Sequence, residues 1–120
     1  MFQKKKPLRN EAYLDFVRRQ TCVLTGAPYP HAHHVRLGND GGMGLKPSDY
    51  RTIPLAPALH TTSQQGVHSV GEERFYEKHQ MKPDAICIAL LAKFIGEKCS
   101  ESELKQVLEH MELIVEGLRQ

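Results

Sequence analysis

The chain has 120 residues, 40% hydrophobic and 25% charged, with a formal net charge of +2, enough for one domain with a modest core. It holds no apolar run of the roughly eighteen residues that a membrane-spanning helix needs, and Met1–Lys6 has no apolar segment of the secretory type, so a cytoplasmic protein without membrane contact is expected. Three cysteines (Cys22, Cys87 and Cys99) without a CxxC pair argue against a disulfide framework and a four-cysteine zinc site.

The charge is unevenly spread. Residues 1–51 carry nine basic and four acidic side chains, whereas 52–120 carry seven basic and ten acidic. The basic part also holds the pair His33-His34. This asymmetry points to a nucleic-acid partner more than the small net charge does.

In chain order, residues 1–9 form a basic arm with Lys4, Lys5 and Lys6, readable as a frayed terminus or as a phosphate-contacting tail. Asn10 is a good N-cap, and Tyr13, Leu14, Phe16 and Val17 give an apolar face, so 11–19 is expected to be a short helix. Thr21–Thr25 is β-prone and stops at Gly26. His31–Leu37 reads as a strand. Gly38–Gly44, with four glycines in seven residues, must be a loop, either a flexible connection that lets DNA approach the backbone or a plain surface loop. Lys46–Tyr50 is a second turn, and Arg51–Leu55 reads as the returning strand, with Pro54 marking an edge or an end.

Residues 56–70 show no clean period. A helix is expected within 71–78 and a strongly apolar one over Asp84–Phe94. Ser100 and Glu103 form a capping box for a last helix. Its stripe of Leu104, Val107, Leu108, Met111, Ile114, Val115 and Leu118 reads as core or as a helix–helix contact. Cys87, within Ile86-Cys87-Ile88, reads as a small buried hydrophobe.

The chemistry lies in the histidines. His33 and His34 are adjacent, Asp49 comes fifteen residues after His34, and His60 and His68 follow. Neutral imidazole is the commonest metal ligand, and an imidazole off the metal can act as a base near neutral pH. Adjacent strand residues point to opposite faces, so His33 and His34 can have separate tasks. A phosphodiester repels nucleophiles, and its hydrolysis needs a cation, a base for water and help for the leaving oxygen. His31, His79 and His110 read as ordinary surface histidines.

Tyr13–Arg18, Cys22–Gly26, Ala32-His33-His34-Val35-Arg36, Lys46–Asp49, Ile53-Pro54-Leu55, Leu59-His60, His68–Gly71 and Phe75-Tyr76 together resemble the HNH, or ββα-metal, nuclease superfamily. The likeness is nearest to its phage recombination-enhancement (Ref-like) branch and covers roughly residues 10–80. It implies an α+β fold: a ββα-metal core at 10–80, an N-terminal helix, and two C-terminal helices at 81–120 packing on that core. It implies a metal-dependent endonuclease or nickase acting on DNA, with a possible recombination-protein partner.

The resemblance gives His33, His60 and His68 as metal ligands, His34 as general base, and Asp49 as the residue that braces the loop and orients the base. Arg36, Lys46 and Arg51 become candidates for phosphate contact, with the Lys4–Lys6 arm. Three imidazoles favour zinc on ligand softness, whereas relatives often work with magnesium or manganese.

The chain departs from the family pattern twice. The zinc knuckle of many relatives is missing, because Thr25, Ala56 and Leu59 stand where ligands would, and Cys22 reads as its buried remnant. The C-terminal helices are expected to supply the stability instead. His60 and His68 are also eight apart, ~12 Å of rise on one helix, too far for one ion. Either Gly66 breaks the helix and returns His68, or Gln64 takes the place; the poor helix interior Thr61-Thr62-Ser63 favours the break. The alternative function is a nucleic-acid-binding module with a degenerate nuclease site, and a third is a structural zinc protein whose helical tail binds a partner.

Overall fold

A computed structural model describes residues 8–37, 47–61 and 66–118. Lys4, Lys5, Lys6, Lys46, Gln64 and the 38–44 glycine loop lie outside the described residues. The fold is mixed α+β, with helices around one small antiparallel sheet.

Helix α1 (Glu11–Arg18) begins at Asn10, whose side chain accepts the Tyr13 N–H at 3.0 Å. Its apolar spacing buries Tyr13, Leu14, Phe16 and Val17 on one face. The expected β segment at Thr21–Thr25 is instead a tight turn. The Cys22 N–H donates to Ala27 O, the Gly26 N–H donates to Cys22 O, and Gly26 takes φ 73°. Local hydrogen bonding and a glycine in the left-handed region override the β propensity of Val23 and its neighbours.

Strand β1 (His31–His34) pairs antiparallel with β2 (Thr52–Leu55), His33 opposite Ile53 and His34 opposite Thr52. Both strands are shorter than the expected 31–37 and 51–55. One further bond, from the Val35 N–H to Arg51 O at 2.8 Å, extends the ladder. Beyond it the Arg36 and Leu37 N–H groups turn to the Glu72 carboxylate instead. Pro54 has no N–H to donate, and its carbonyl accepts from Val23 on the sheet's outer side.

The break expected at Gly66 is present: His60 and His68 lie on two separate single turns, α2 (Pro57–His60) and α3 (Val67–Val70), with Gly66 as the N-cap of α3. Gly71, at φ 95°, then reverses the chain into α4 (Glu72–Lys78). Only glycine adopts that backbone without strain.

Helix α5 (Pro83–Glu97) starts on a proline in its first turn, where the missing N–H is harmless. Before α6 (Glu101–Leu118), Ser100 and Glu103 exchange bonds reciprocally: the Glu103 N–H donates to Ser100 Oγ, and the Ser100 N–H to Glu103 Oε1.

One core joins these parts. The Phe94 ring of α5 lies 4.9 Å from Tyr13 and 5.2 Å from Phe16 between centroids, and Val107 and Ile114 of α6 are buried with them. Cys87 is fully buried, and burial pushes its thiol up to about 12. The apolar stripe of α6 is only partly core, since Leu108 is exposed. Among the described residues, no helix is long and apolar enough to cross a membrane.

Candidate metal centre

The alternation of β1 puts His31 and His33 on one face and His34 on the other. His33 is buried. Its Nε2 lies 2.8 Å from Glu72 Oε1 and 3.1 Å from the Tyr76 hydroxyl. A carboxylate only accepts, so Nε2 carries the proton and Nδ1 the lone pair. That Nδ1 is buried with no hydrogen-bond partner among the described residues. Leaving such an atom unsatisfied costs about 1–3 kcal/mol, so it calls for an explanation, and an ion is one.

Two other rings meet it. His60 closes α2 and His68 lies in α3, and their Nε2 atoms are 3.0 Å apart. The His60 ring centroid is 5.0 Å from that of His33, and the His68 centroid 5.4 Å. One nitrogen from each of His33, His60 and His68 lies within 4.8 Å of the others. Donors that share one ion at bonds of roughly 2 Å must lie within about 4 Å of each other, so small adjustments suffice.

Burial, and then the charges His33, His68, His31 and His34 would carry, push His60 down to about 4. His68 is lowered by burial, His33 and Arg36, with Glu72 pulling the other way. Both rings therefore favour the neutral, lone-pair-bearing form that a metal requires.

On the opposite face, His34 Nε2 lies 2.8 Å from Asp49 Oδ1. Asp49 is buried in the turn before β2; its Oδ2 accepts the Asn10 N–H at 2.8 Å, and Arg9 reaches Oδ1 at 3.3 Å. Burial alone would raise the Asp49 carboxyl, but His34, the Asn10 N–H and Arg9 outweigh it and hold it below its ordinary value. An ionised Asp49 fixes the Nε2–H tautomer of His34, which puts that ring's lone pair on Nδ1.

The cationic candidates divide. Arg36 is exposed, and its charge is felt at His68. Arg51, expected at phosphate, is buried; its guanidinium donates to Asp84 Oδ1 and to Leu37 O, each at 2.8 Å. Those bonds tie β2 to α5 and to the segment after β1, so Arg51 is a structural cation here.

Two histidines read as ordinary surface residues are not. His31 is exposed, yet its Nδ1 lies 3.0 Å from His60 Nδ1. His110 is buried, its ring 5.7 Å from that of Tyr50.

Glu72 escaped the sequence reading altogether, hidden among the acidic residues that favour any helix start. The two-residue step from His31 to His33 could have revealed His31, since it places both on one face of the strand. No spacing rule could have paired Glu72 with His33.

A family model described as a protein of unknown function (DUF968) matches residues 2–96. Comparisons with curated proteins and with solved structures found no match.

Proposed function

We propose that this chain, which belongs to the DUF968 family, is a metal-dependent DNA endonuclease or nickase built on a ββα-metal core. One observation carries the reading. Three imidazoles converge from β1, α2 and α3, one with a buried nitrogen that has no partner among the described residues, while the residue next to it on β1 holds a hydrogen-bonded imidazole–carboxylate pair. A structural site needs the rings alone. The adjacent His34–Asp49 pair is the part that hydrolysis requires.

His33, through Nδ1, and His60 and His68, through Nε2, would hold the ion. Three imidazoles favour zinc, with magnesium or manganese as the alternatives. Bound there, a divalent cation supplies positive charge to the scissile phosphate and to the departing oxygen. His34 takes the proton of the attacking water at Nδ1, and Asp49 stabilises the imidazolium that results. Arg36, exposed and with its charge felt at His68, would meet a backbone phosphate there, a contact that orients the duplex without reading sequence. The likeness of the motifs to the Ref-like branch extends the proposal to phage or prophage recombination.

Nicking of supercoiled plasmid with added metal tests it. Wild type nicks, whereas His34→Ala loses nicking by about 100-fold or more and still binds the ion. Equal cutting by His34→Ala removes His34 as the base. A wild type that binds DNA and metal without nicking replaces the hydrolase with a nucleic-acid-binding module, the reading that the lost knuckle favours. Metal bound with neither DNA binding nor nicking leaves a structural centre.

A further inference from the structure

A neutral imidazole that ligates through one nitrogen carries a proton on the other. Whatever accepts that proton sets the tautomer and the tilt of the ring. At His33 the acceptor is Glu72 Oε1, 2.8 Å from Nε2. The same carboxylate accepts the Arg36 N–H at 2.8 Å, the Leu37 N–H and the Tyr76 hydroxyl. It thus holds together a buried ring, the backbone leaving β1 and a residue one turn along α4. Gly71, at φ 95°, makes the reversal that starts α4 at Glu72.

At His60 the pattern repeats with a different partner. Nε2 faces His68 at 3.0 Å, and Nδ1 lies 3.0 Å from His31 Nδ1. His31 is exposed at the first position of β1, opposite Leu55, on the same face as His33. A ring pair at the end of a strand adds little packing, yet it aims the His60 lone pair at the centre.

We infer that Glu72 and His31 are the positioning residues of the three-imidazole centre, Glu72 fixing the orientation of His33 and His31 that of His60. Neither touches the ion. The inference rests on the metal reading above but not on DNA hydrolysis. It has a consequence for the phosphate side as well, because Glu72 anchors the backbone N–H of Arg36 while it orients His33.

A purely structural role for these residues makes different predictions, because an amide can replace one hydrogen-bonding edge of histidine. The side-chain oxygen of asparagine falls near the place of Nδ1, whereas alanine leaves nothing there. Cobalt(II) titration of the full chain, read by its visible absorption and by competition with a chelator, is the test. His31→Ala and Glu72→Ala should each weaken cobalt binding by about 10–100-fold, with altered spectra. His31→Asn should restore affinity and spectrum towards wild type. Thermal melts of metal-free His31→Ala should match the metal-free parent.

Wild-type affinity and spectrum in both alanine variants overturn the inference. So does His31→Asn binding as weakly as His31→Ala. If Glu72→Ala does not fold, the His31 pair decides alone. A wild type that takes up no cobalt overturns the metal reading itself, before any variant is compared.

Discussion

The turn around Cys22 and the ring cluster around His60 flank the same stretch of chain, the end of β2 and the start of α2. Cys22 is buried, and the backbone around it closes on itself, with the Cys22 N–H donating to Ala27 O and the Gly26 N–H to Cys22 O, each at 2.9 Å. Burial alone would raise that thiol, but the Thr25 side chain and the N–H groups of Ala56, Thr25 and Leu24 hold it below its ordinary value. Backbone hydrogen bonds close this turn. At the cluster the converging atoms are themselves acceptors. The His60 and His68 Nε2 atoms, 3.0 Å apart, can share one proton, but the His33 Nδ1 beside them is buried with no partner among the described residues. The turn is closed by hydrogen bonds, whereas the cluster leaves a buried lone pair without one among the described residues.

The sharpest way to break this comparison is to remove a ring. His60→Ala should reduce bound zinc from about one ion per chain to nearly none, measured by elemental analysis after dialysis. Cys22→Ala should leave the zinc content unchanged. Equal zinc in the parent and His60→Ala would return the metal to some other place.

The next largest effect concerns what stabilises the domain away from the ring cluster. Phe94 packs edge-on against Tyr13 and Phe16, so Phe94→Ala should cost about 3–5 kcal/mol in denaturant unfolding. A loss below about 1 kcal/mol, the size of an ordinary substitution, would mean that α5 is not the support.

Acid should act on the cluster and spare the Cys22 turn. The unfolded chain protonates His60 near its ordinary value of 6.5, while the folded ring resists until about 4. Between those values the unfolded state binds more protons, so metal-free stability falls as pH drops through the window and is flat above it. Thermal melts across pH 7.5 to 4 should show this slope in the parent and a shallower one in His60→Asn. Parallel slopes would count against a depressed His60.

The smallest effect is expected at the turn itself. Cys22→Ala removes a buried sulfur from a turn closed by backbone hydrogen bonds, and should cost about 1 kcal/mol. A cost several times larger would mean that the turn depends on the sulfur more than its bonds suggest.

Features set by neighbouring residues could be read directly. The Asn10 cap, the Ser100–Glu103 box, the α1 face and the buried Cys87 depend on contacts a few residues apart, or on hydrophobicity alone. The segment at Thr21–Thr25 misled because β-branched residues favour a strand until a nearby glycine lets the backbone close a tight turn with its own hydrogen bonds. Arg51 misled because charge marks a residue as basic without saying that an Asp84 carboxylate lies beside it.

By itself the sequence determined the supply of chemistry: which rings exist, which sit side by side on a strand, and where the backbone must turn. The pairing of His34 with Asp49, 15 residues apart, was expected from the resemblance; only the tertiary structure decided the rest of their company, giving His33 to Glu72 and His60 to His31 across separations of 39 and 29 residues. The physical reason is reach. Periodicity and capping act within a turn or two of chain, whereas the orientation of an imidazole is set by the acceptor that packing brings to its far nitrogen.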